Sequence, residues 1–283
     1  MAWISAELAL RDWGDNNMNP NFTDSLIKWT LAVFLVVVFA FLYMPIVHIL
    51  FASLSTRPNF PYPPEFNVAS YIRLSTNTVY QSAFLNSLLL ASCTAVLSTV
   101  LGFLATVGVL RFAGKRALIY AIFFAAPLFV SEILLGISSM ALYYMLFELQ
   151  GNMLTAIIAN AVHCFSFCFL IMAAMLYKYD WRMNEAAIVC GASPLRSFFE
   201  IMLPITWPGI MGSLITAFVL SLNGLDVSFY LLGATPTMPS VAWGALRYGV
   251  KPELYALSSL INIVVFAMII ALLVAIRLKR KAA

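Results

Sequence analysis

Charged residues are scarce in this chain of 283 residues. Asp, Glu, Lys and Arg make up 10% of it, whereas a soluble domain carries about 25%. Hydrophobic residues make up 63%, and the few charges gather in short clusters between long uncharged runs. This pattern excludes an ordinary soluble protein.

Potential metal ligands are also scarce. The sequence has two histidines and four cysteines, with no Cys-x-x-Cys pair and no spacing typical of a secreted disulfide framework. Zinc sites need several such ligands at short spacings. We therefore expect no metal site, and free thiols at Cys93, Cys164, Cys168 and Cys190.

Motifs for hydrolytic chemistry are missing as well. No Gly-x-x-x-x-Gly-Lys-Ser/Thr loop is present to hold phosphates, and the one Gly-Lys pair, Gly114-Lys115, lacks the required flanking residues. No Gly-x-Ser-x-Gly elbow occurs, and Asp226 is the one aspartate within an apolar run, which excludes a di-aspartyl intramembrane protease. A dyad of His163 with a nearby serine stays open, but an enzyme is disfavoured.

Long apolar runs dominate what is present. Four uncharged runs each exceed the ~20 residues that cross a bilayer, and two more runs are interrupted only by Glu132 and by Asp226. Continuous apolar runs are not the alternating pattern of a membrane barrel. The sequence thus predicts an all-α, polytopic membrane protein with six transmembrane helices, at residues 29–54, 84–110, 117–145, 153–176, 208–232 and 256–276.

The basic residues predict the orientation. Of the 16 lysines and arginines, all but Arg57, Arg73, Arg247 and Lys251 fall on one side of the six-helix arrangement. Lys and Arg accumulate on the cytoplasmic side of membrane proteins, so both termini are expected in the cytoplasm. The net charge of +4 therefore reflects membrane orientation and not nucleic-acid binding.

The domain organisation follows from these spans. We expect a cytoplasmic N-terminal segment at 1–28 without a cleavable signal peptide, a six-helix membrane domain at 29–276, and a basic cytoplasmic tail at 277–283. Trp3 and Trp13 suggest either a helix resting on the inner membrane face or a disordered tail. Prolines in the outer connections, residues 55–83 and 233–255, favour non-helical loops.

The longest cytoplasmic connection, residues 177–207, carries a helix-turn-helix pattern. Helix formers at Glu185 to Ala187 precede Gly191, which can end a helix with positive φ, and Ser193-Pro194 can start the next helix. Leu195, Phe198, Phe199 and Met202 then predict one apolar stripe. A stripe outside the bilayer indicates a protein partner.

The same residues resemble the cytoplasmic signature of bacterial binding-protein-dependent ABC importer permeases, which have the MetI-like fold. The similarity extends from about residue 127 to 271 and looks most like the second permease of spermidine and putrescine importers. One departure is that Asn223 and Gly224 stand where those permeases usually have a pair of acids. Every fixed signature position is filled, by Glu185, Ala186, Ala187, Gly191, Ile201, Leu203 and Pro204.

The resemblance implies a set of partners in a bacterial inner membrane. Residues 183–204 are expected to dock on a cytoplasmic ABC ATPase dimer, which binds ATP and Mg, while this chain has no cofactor. A second permease subunit, expected to be a different chain, and an extracytoplasmic substrate-binding protein complete the importer, surrounded by membrane lipid. The alternative for the loop is an amphipathic segment lying on the membrane surface.

The cargo is expected to be a polyamine or related amine, with opines, amino-acid derivatives, thiamine and metal complexes as alternatives. Glu132, Asn223 and Asp226 are the candidates for the translocation path, because a carboxylate within a span is costly against lipid. Alternatively, the two acids pair with or cap helices, and His163 is a hydrogen-bonded core residue. An ion-coupled secondary transporter or channel is the competing class.

Overall fold

The computed structural model describes residues 20–55, 66–233, 235–248 and 251–282, and within these ranges the regular structure is helical with no strand. The prediction of an all-α protein is therefore confirmed. The α-helices are α1 (Pro20–Ser53), α2 (Ala69–Thr76), α3 (Thr78–Phe112), α4 (Ala117–Ala125), α5 (Glu132–Phe147), α6 (Met153–Leu176), α7 (Arg182–Val189), α8 (Pro194–Ser197), α9 (Leu203–Asn223), α10 (Asp226–Leu232), α11 (Met238–Tyr248) and α12 (Pro252–Ala282).

Five stretches of the described chain are long and apolar enough to cross a membrane, and a bent pair of helices makes a sixth. The count agrees with six predicted spans when the bent pair is taken as one. The five are Ile27–Ser53, Thr78–Phe112, Met153–Leu176, Pro194–Asn223 and Pro252–Ala275.

The third span is not the straight helix predicted at 117–145. After α4 the chain tightens into a 3-10 turn, Ala126–Phe129, becomes extended at Val130, and restarts as α5. The segments before and after this break meet at 98°. Pro127 contributes to the break because proline has no N–H to donate to a continuing helix.

The fifth span also differs from the predicted helix at 208–232. It begins at Pro194, within the connection predicted to be cytoplasmic, passes through a π-helical turn, Phe198–Met202, and continues as α9. Gly224 is extended, with ψ 98°, so α9 ends there and α10 starts after it. The two halves are therefore separate helices.

The outer connections are partly helical, contrary to the prediction from their prolines. The 233–255 connection contains α11, and the 55–83 connection contains α2 and the start of α3. Proline is tolerated in the first turn of a helix, where Pro239 and Pro252 lie. The cluster of Pro58, Pro61, Pro63 and Pro64 lies outside the described residues.

The helices at both ends of the chain extend further than predicted. Helix α1 begins at Pro20, within the predicted N-terminal segment 1–28, and α12 extends to Ala282, through most of the predicted tail. Trp3 and Trp13 lie outside the described residues.

The core lies where α3, α6 and α9 pack together. Small side chains face one another at this junction, among them Ala91 of α3, Cys168 of α6 and Ala217 of α9. Small residues let membrane helices approach closely. By contrast, α1 buries none of its most apolar 18-residue window and packs at the edge of the bundle against α12.

Candidate functional site

The connection between the fourth and fifth spans folds as a helix, a tight turn and a second helix. We call residues 182–204 the coupling segment. Glu185, Ala186 and Ala187 lie in α7, as predicted from their helix propensity. Gly191 follows α7 with φ +93°. Its N–H donates to the Ile188 carbonyl at 2.9 Å, and the Ala192 N–H donates to the Ala187 carbonyl at 3.0 Å. These bonds form a Schellman motif, so the predicted turn at Gly191 is confirmed.

The second half of the coupling segment starts with the predicted cap. The Ser193 hydroxyl accepts a hydrogen bond from the Arg196 N–H at 3.2 Å, and Pro194 occupies the first turn. The helix does not stop before the membrane, because it continues through the π turn into α9. Ile201, Leu203 and Pro204 therefore belong to the start of the fifth span and not to a separate loop helix.

The predicted single apolar stripe divides into two faces. Leu195 and Phe199 are 72% and 59% exposed, whereas Met202 is buried and Phe198 packs with it. The π turn widens the helix over these residues, so the angular spacing assumed for an α-helix does not hold. The prediction of one stripe was wrong, and the outward face is carried by Leu195 and Phe199.

The outward face carries both polar and apolar side chains. Glu185, Ala186 and Gly191 are exposed, and Val189 is 88% exposed. Ala187, Ile201 and Leu203 are half-buried, and Pro204 is exposed at the start of α9. Three large apolar side chains, Val189, Leu195 and Phe199, are therefore exposed on this segment, and exposed apolar surface is typical of an interaction site.

The inward face of the coupling segment is held by polar contacts that the sequence did not reveal. Asn184 is 4% exposed, and its side-chain oxygen accepts a hydrogen bond from the Tyr179 hydroxyl. The Ser197 hydroxyl donates to the Asn184 carbonyl at 3.5 Å. The sequence offered one signal for these contacts. Asparagine has low helix propensity, so its presence at position 184, directly before Glu185, indicates a role other than helix formation.

Two aromatic residues extend this contact to α3. The Tyr179 and Trp181 rings meet edge to face with centroids 5.2 Å apart, and the Arg111 guanidinium lies 5.6 Å from the centre of a Trp181 ring. Burial raises the pKa of the Tyr179 phenol, and Asp180 raises it further while Arg111 opposes this. The phenol therefore stays protonated and can donate to Asn184.

A polar site lies within the membrane-spanning part, at the break in the third span. Glu132 is the first residue of α5, and its Oε1 lies 3.2 Å from His163 Nε2 of α6. The Glu132 side chain is 38% exposed and that of His163 is 12% exposed. Carboxylates are stabilised at helix N-termini, and Glu132 lies at such a position with His163 beside it.

The break in the fifth span brings the second acid to the same region. Asp226 is the first residue of α10, and α5 crosses α10 beside it. A Cβ added at Gly136 of α5 would lie 3.2 Å from the Asp226 carbonyl oxygen and 3.0 Å from the Tyr230 ring. The structure thus places both acids at the starts of two half-helices that pack against each other.

Two asparagines near the second break have different surroundings. The predicted Asn223 donates from its Nδ2 to the Val219 carbonyl of its own helix at 3.0 Å and is exposed. Asn160 of α6, which the sequence analysis did not single out, is buried, and its Oδ1 lies 3.3 Å from where a Gly224 Cβ would stand. The intramembrane polar group therefore comprises Glu132, His163, Asn160 and Asp226, with Asn223 at its edge.

Of the four cysteines, Cys190 lies in the coupling segment, at the end of α7, and the other three lie outside it. All four fall in the described ranges and are free thiols, as expected, with Cys164 and Cys168 buried and Cys93 and Cys190 exposed. Among the residues that the structure describes, no three His, Cys, Asp or Glu side chains group as metal ligands.

Comparison with known proteins gives consistent matches. The family model described as "Binding-protein-dependent transport system inner membrane component" matches residues 98–280. The putrescine transport system permease protein PotI of Escherichia coli K12 is 30% identical over 240 residues, covering 82% of this chain and 85% of that protein. The spermidine/putrescine permease PotC of the same strain is 27% identical over 245 residues, covering 84% and 90%.

Solved structures share the fold. A bacterial ABC transporter involved in the import of the acidic polysaccharide alginate matches with TM-score 0.69 and 16% identity, over 92% of this chain and 98% of that one. The MetNI methionine ABC transporter in an inward-facing conformation matches with TM-score 0.57 and 14% identity, over 73% and 96%.

Proposed function

The chain belongs to the family of binding-protein-dependent transport system inner membrane components and is a permease subunit of an ABC importer, and from this premise we propose that its cargo is a polyamine. Family membership confirms the prediction of a transport subunit over an enzyme or an ion-coupled transporter. ATP is used by a partner ATPase, as in the rest of the family.

The observation that carries the cargo proposal is the pairing of the two half-helix starts. Glu132 and Asp226 lie where α5 and α10 pack together, so both carboxylates belong to one region of the membrane-spanning part. A carboxylate in a medium of low dielectric lowers the cost of desolvating a cation. An aliphatic diamine carries a positive charge at each end, which matches two separated acids.

The names of the relatives support the same cargo. PotI is described as a putrescine permease and PotC as a spermidine/putrescine permease, and both match over most of their length. Because positions 223 and 224 carry no acid, Glu132 and Asp226 are the carboxylates proposed to contact the cationic cargo. Opines, amino-acid derivatives, thiamine and metal complexes remain the competing cargos.

We propose that the outward face of the coupling segment docks on a cytoplasmic ABC ATPase dimer, which binds ATP and Mg. Glu185, Ala186, Ala187 and Gly191 would form the contact, and Ile201, Leu203 and Pro204 would connect it to the fifth span. A second permease subunit of different sequence and an extracytoplasmic binding protein complete the importer. Both termini face the cytoplasm of a bacterial cell with this chain in its inner membrane.

The test is uptake of radiolabelled putrescine by cells that produce the complete importer. Glu132→Gln and Asp226→Asn keep the side-chain shape and remove the charge, and we expect each to lower uptake about tenfold, as loss of one charge-assisted hydrogen bond predicts. Glu148→Gln, at an exposed acid after α5, is the matched control and should transport normally.

The amounts of assembled importer are compared by co-purification with the ATPase. If both amide variants assemble and take up putrescine at the unmodified rate, the acids are structural or the cargo is not a cation. Excess spermidine should compete with putrescine, whereas excess thiamine should not.

A further inference from the structure

The coupling segment is tied to two spans by side chains that take no part in its outward face. We call this group the inner clamp and define it as Arg111, Tyr179, Trp181, Asn184 and Ser197. Within α7, all of which the structure describes, Asn184 is the one buried residue. Its side chain accepts a hydrogen bond from Tyr179, three residues after the end of α6, and its backbone carbonyl accepts one from Ser197 of α8.

The clamp rests on an apolar cluster that joins three spans. Tyr179 packs in one cluster with Phe103 of α3 and Met172 of α6, and with Met202 of the π turn that leads into α9. Phe198, beside Met202, meets the Phe103 ring with centroids 5.8 Å apart. The coupling segment therefore contacts the same three helices that form the core.

Trp181 adds a second connection to α3. It stands one residue before α7 and packs against Tyr179 on one side, while the Arg111 guanidinium at the end of α3 lies over it. Arginine over a tryptophan face is attractive, more so where water is excluded. A displacement of α7 therefore moves Trp181 and, through it, the end of α3.

We propose that Asn184 is a positioning residue that makes the coupling segment and the inner ends of α3 and α6 one rigid unit, so that movement imposed by the ATPase reaches the spans. This inference rests on the proposed docking of the coupling segment. A rigid link is needed because a loop that bends locally absorbs the displacement. Hydrogen bonds between buried polar groups, such as those of Asn184 with Tyr179 and Ser197, confer such rigidity.

The first test measures rigidity without ATPase or cargo. Native Cys190 is exposed at the end of α7 and takes a nitroxide label in a Cys93→Ala background, while the buried Cys164 and Cys168 stay unreactive. We expect the label to gain mobility in Asn184→Ala and in Tyr179→Phe. Asn184→Asp keeps an oxygen acceptor for the Tyr179 hydroxyl and should restore the ordered spectrum.

The second test separates transmission from docking. In reconstituted importer, Asn184→Ala and Tyr179→Phe should bind the ATPase normally, but putrescine taken up per ATP hydrolysed should fall about fivefold, the equilibrium shift expected from one lost buried hydrogen bond. Leu195→Ala, on the outward face, is the contrasting variant and should lose ATPase binding instead.

Three results decide between the alternatives. Unchanged label mobility and unchanged uptake per ATP in Tyr179→Phe would overturn the clamp, and this variant removes a single hydroxyl, so misfolding does not confuse the result. If Asn184→Ala lost ATPase binding in proportion to its loss of uptake, the clamp would also be overturned, because Asn184 would then act in docking and not in transmission. Absence of ATP-driven putrescine uptake in the unmodified importer would contradict the proposed cargo, while the mobility experiment would still test the clamp.

Discussion

At the scale of single residues, Gly191 determines the direction of the coupling segment. Its φ of +93° is a conformation that side chains with a Cβ rarely adopt. A Cβ built at Gly191 meets no atom of the chain within 4 Å. A side chain placed there would therefore strain the backbone and project into open space, on the surface proposed to dock the ATPase.

We predict that Gly191→Val and Glu185→Lys insert into the membrane but reduce ATPase association and substrate-stimulated ATP hydrolysis. The valine adds about 1 to 2 kcal/mol of backbone strain and a protruding side chain, while the lysine reverses an exposed charge. Co-purification and hydrolysis in proteoliposomes with binding protein present provide the measurements.

Gly114→Val is the matched control for the glycine variant. Gly114 also has positive φ, +52°, and open space around its Cβ position, but it lies outside the coupling segment. Normal ATPase association in Gly191→Val, or an equal loss in Gly114→Val, would contradict a docking role for this turn.

At the scale of helices, the close crossing of α5 and α10 depends on Gly136. An added Cβ would stand 3.0 to 3.2 Å from three atoms of α10, two of them in its backbone. Backbone atoms cannot rotate away, so even one methyl group has to push the half-helices apart. This crossing is also where Glu132 and Asp226 are held.

We predict that Gly136→Ala lowers the thermal unfolding midpoint in detergent relative to Gly212→Ala. Gly212 of α9 has no atom within 4 Å of its Cβ position, and replacing glycine by alanine in an open helical site gains about 1 kcal/mol of helix propensity. At Gly136, overpacking of about 1 to 3 kcal/mol offsets that gain. Equal rises in both variants would show that α5 and α10 are not in close contact.

The helices also show what the sequence could predict. Uncharged runs predicted the spans well, because burial of backbone polar groups in lipid permits few alternatives to helix. The breaks were not predicted, because an apolar run looks the same whether its helix is straight or interrupted. Glu132 and Asp226 were therefore assigned as interruptions of continuous helices, although each begins a new one.

The candidate sites were predictable to different degrees for a related reason. Gly191 and Ser193 act on neighbours a few residues away, so their local pattern was sufficient. The partners of Glu132 and Asn184 lie on other elements, at His163 and at Tyr179 and Ser197. Spacing along the chain carries no signal for such pairs, and the same holds for Asn160 beside Gly224.

At the scale of the whole molecule, the coupling segment provides a marker of orientation. Cys190 is exposed at its turn, and the segment lies on the side where lysine and arginine accumulate. We predict that a Cys93→Ala variant reacts at Cys190 with a membrane-impermeant thiol reagent in inverted vesicles and not in intact cells. Labelling of Cys190 in intact cells would show that every span has the opposite orientation.

The two faces of the coupling segment also separate two kinds of evolutionary constraint. The Asn184 side chain is buried, while Glu185, Ala186, Ile188 and Val189 are exposed. If the ATPase docks on the outward face as proposed, substitutions there can follow changes in the ATPase without altering the buried contacts of the membrane domain. The architecture therefore permits one permease scaffold to be paired with different motors by altering a few exposed side chains.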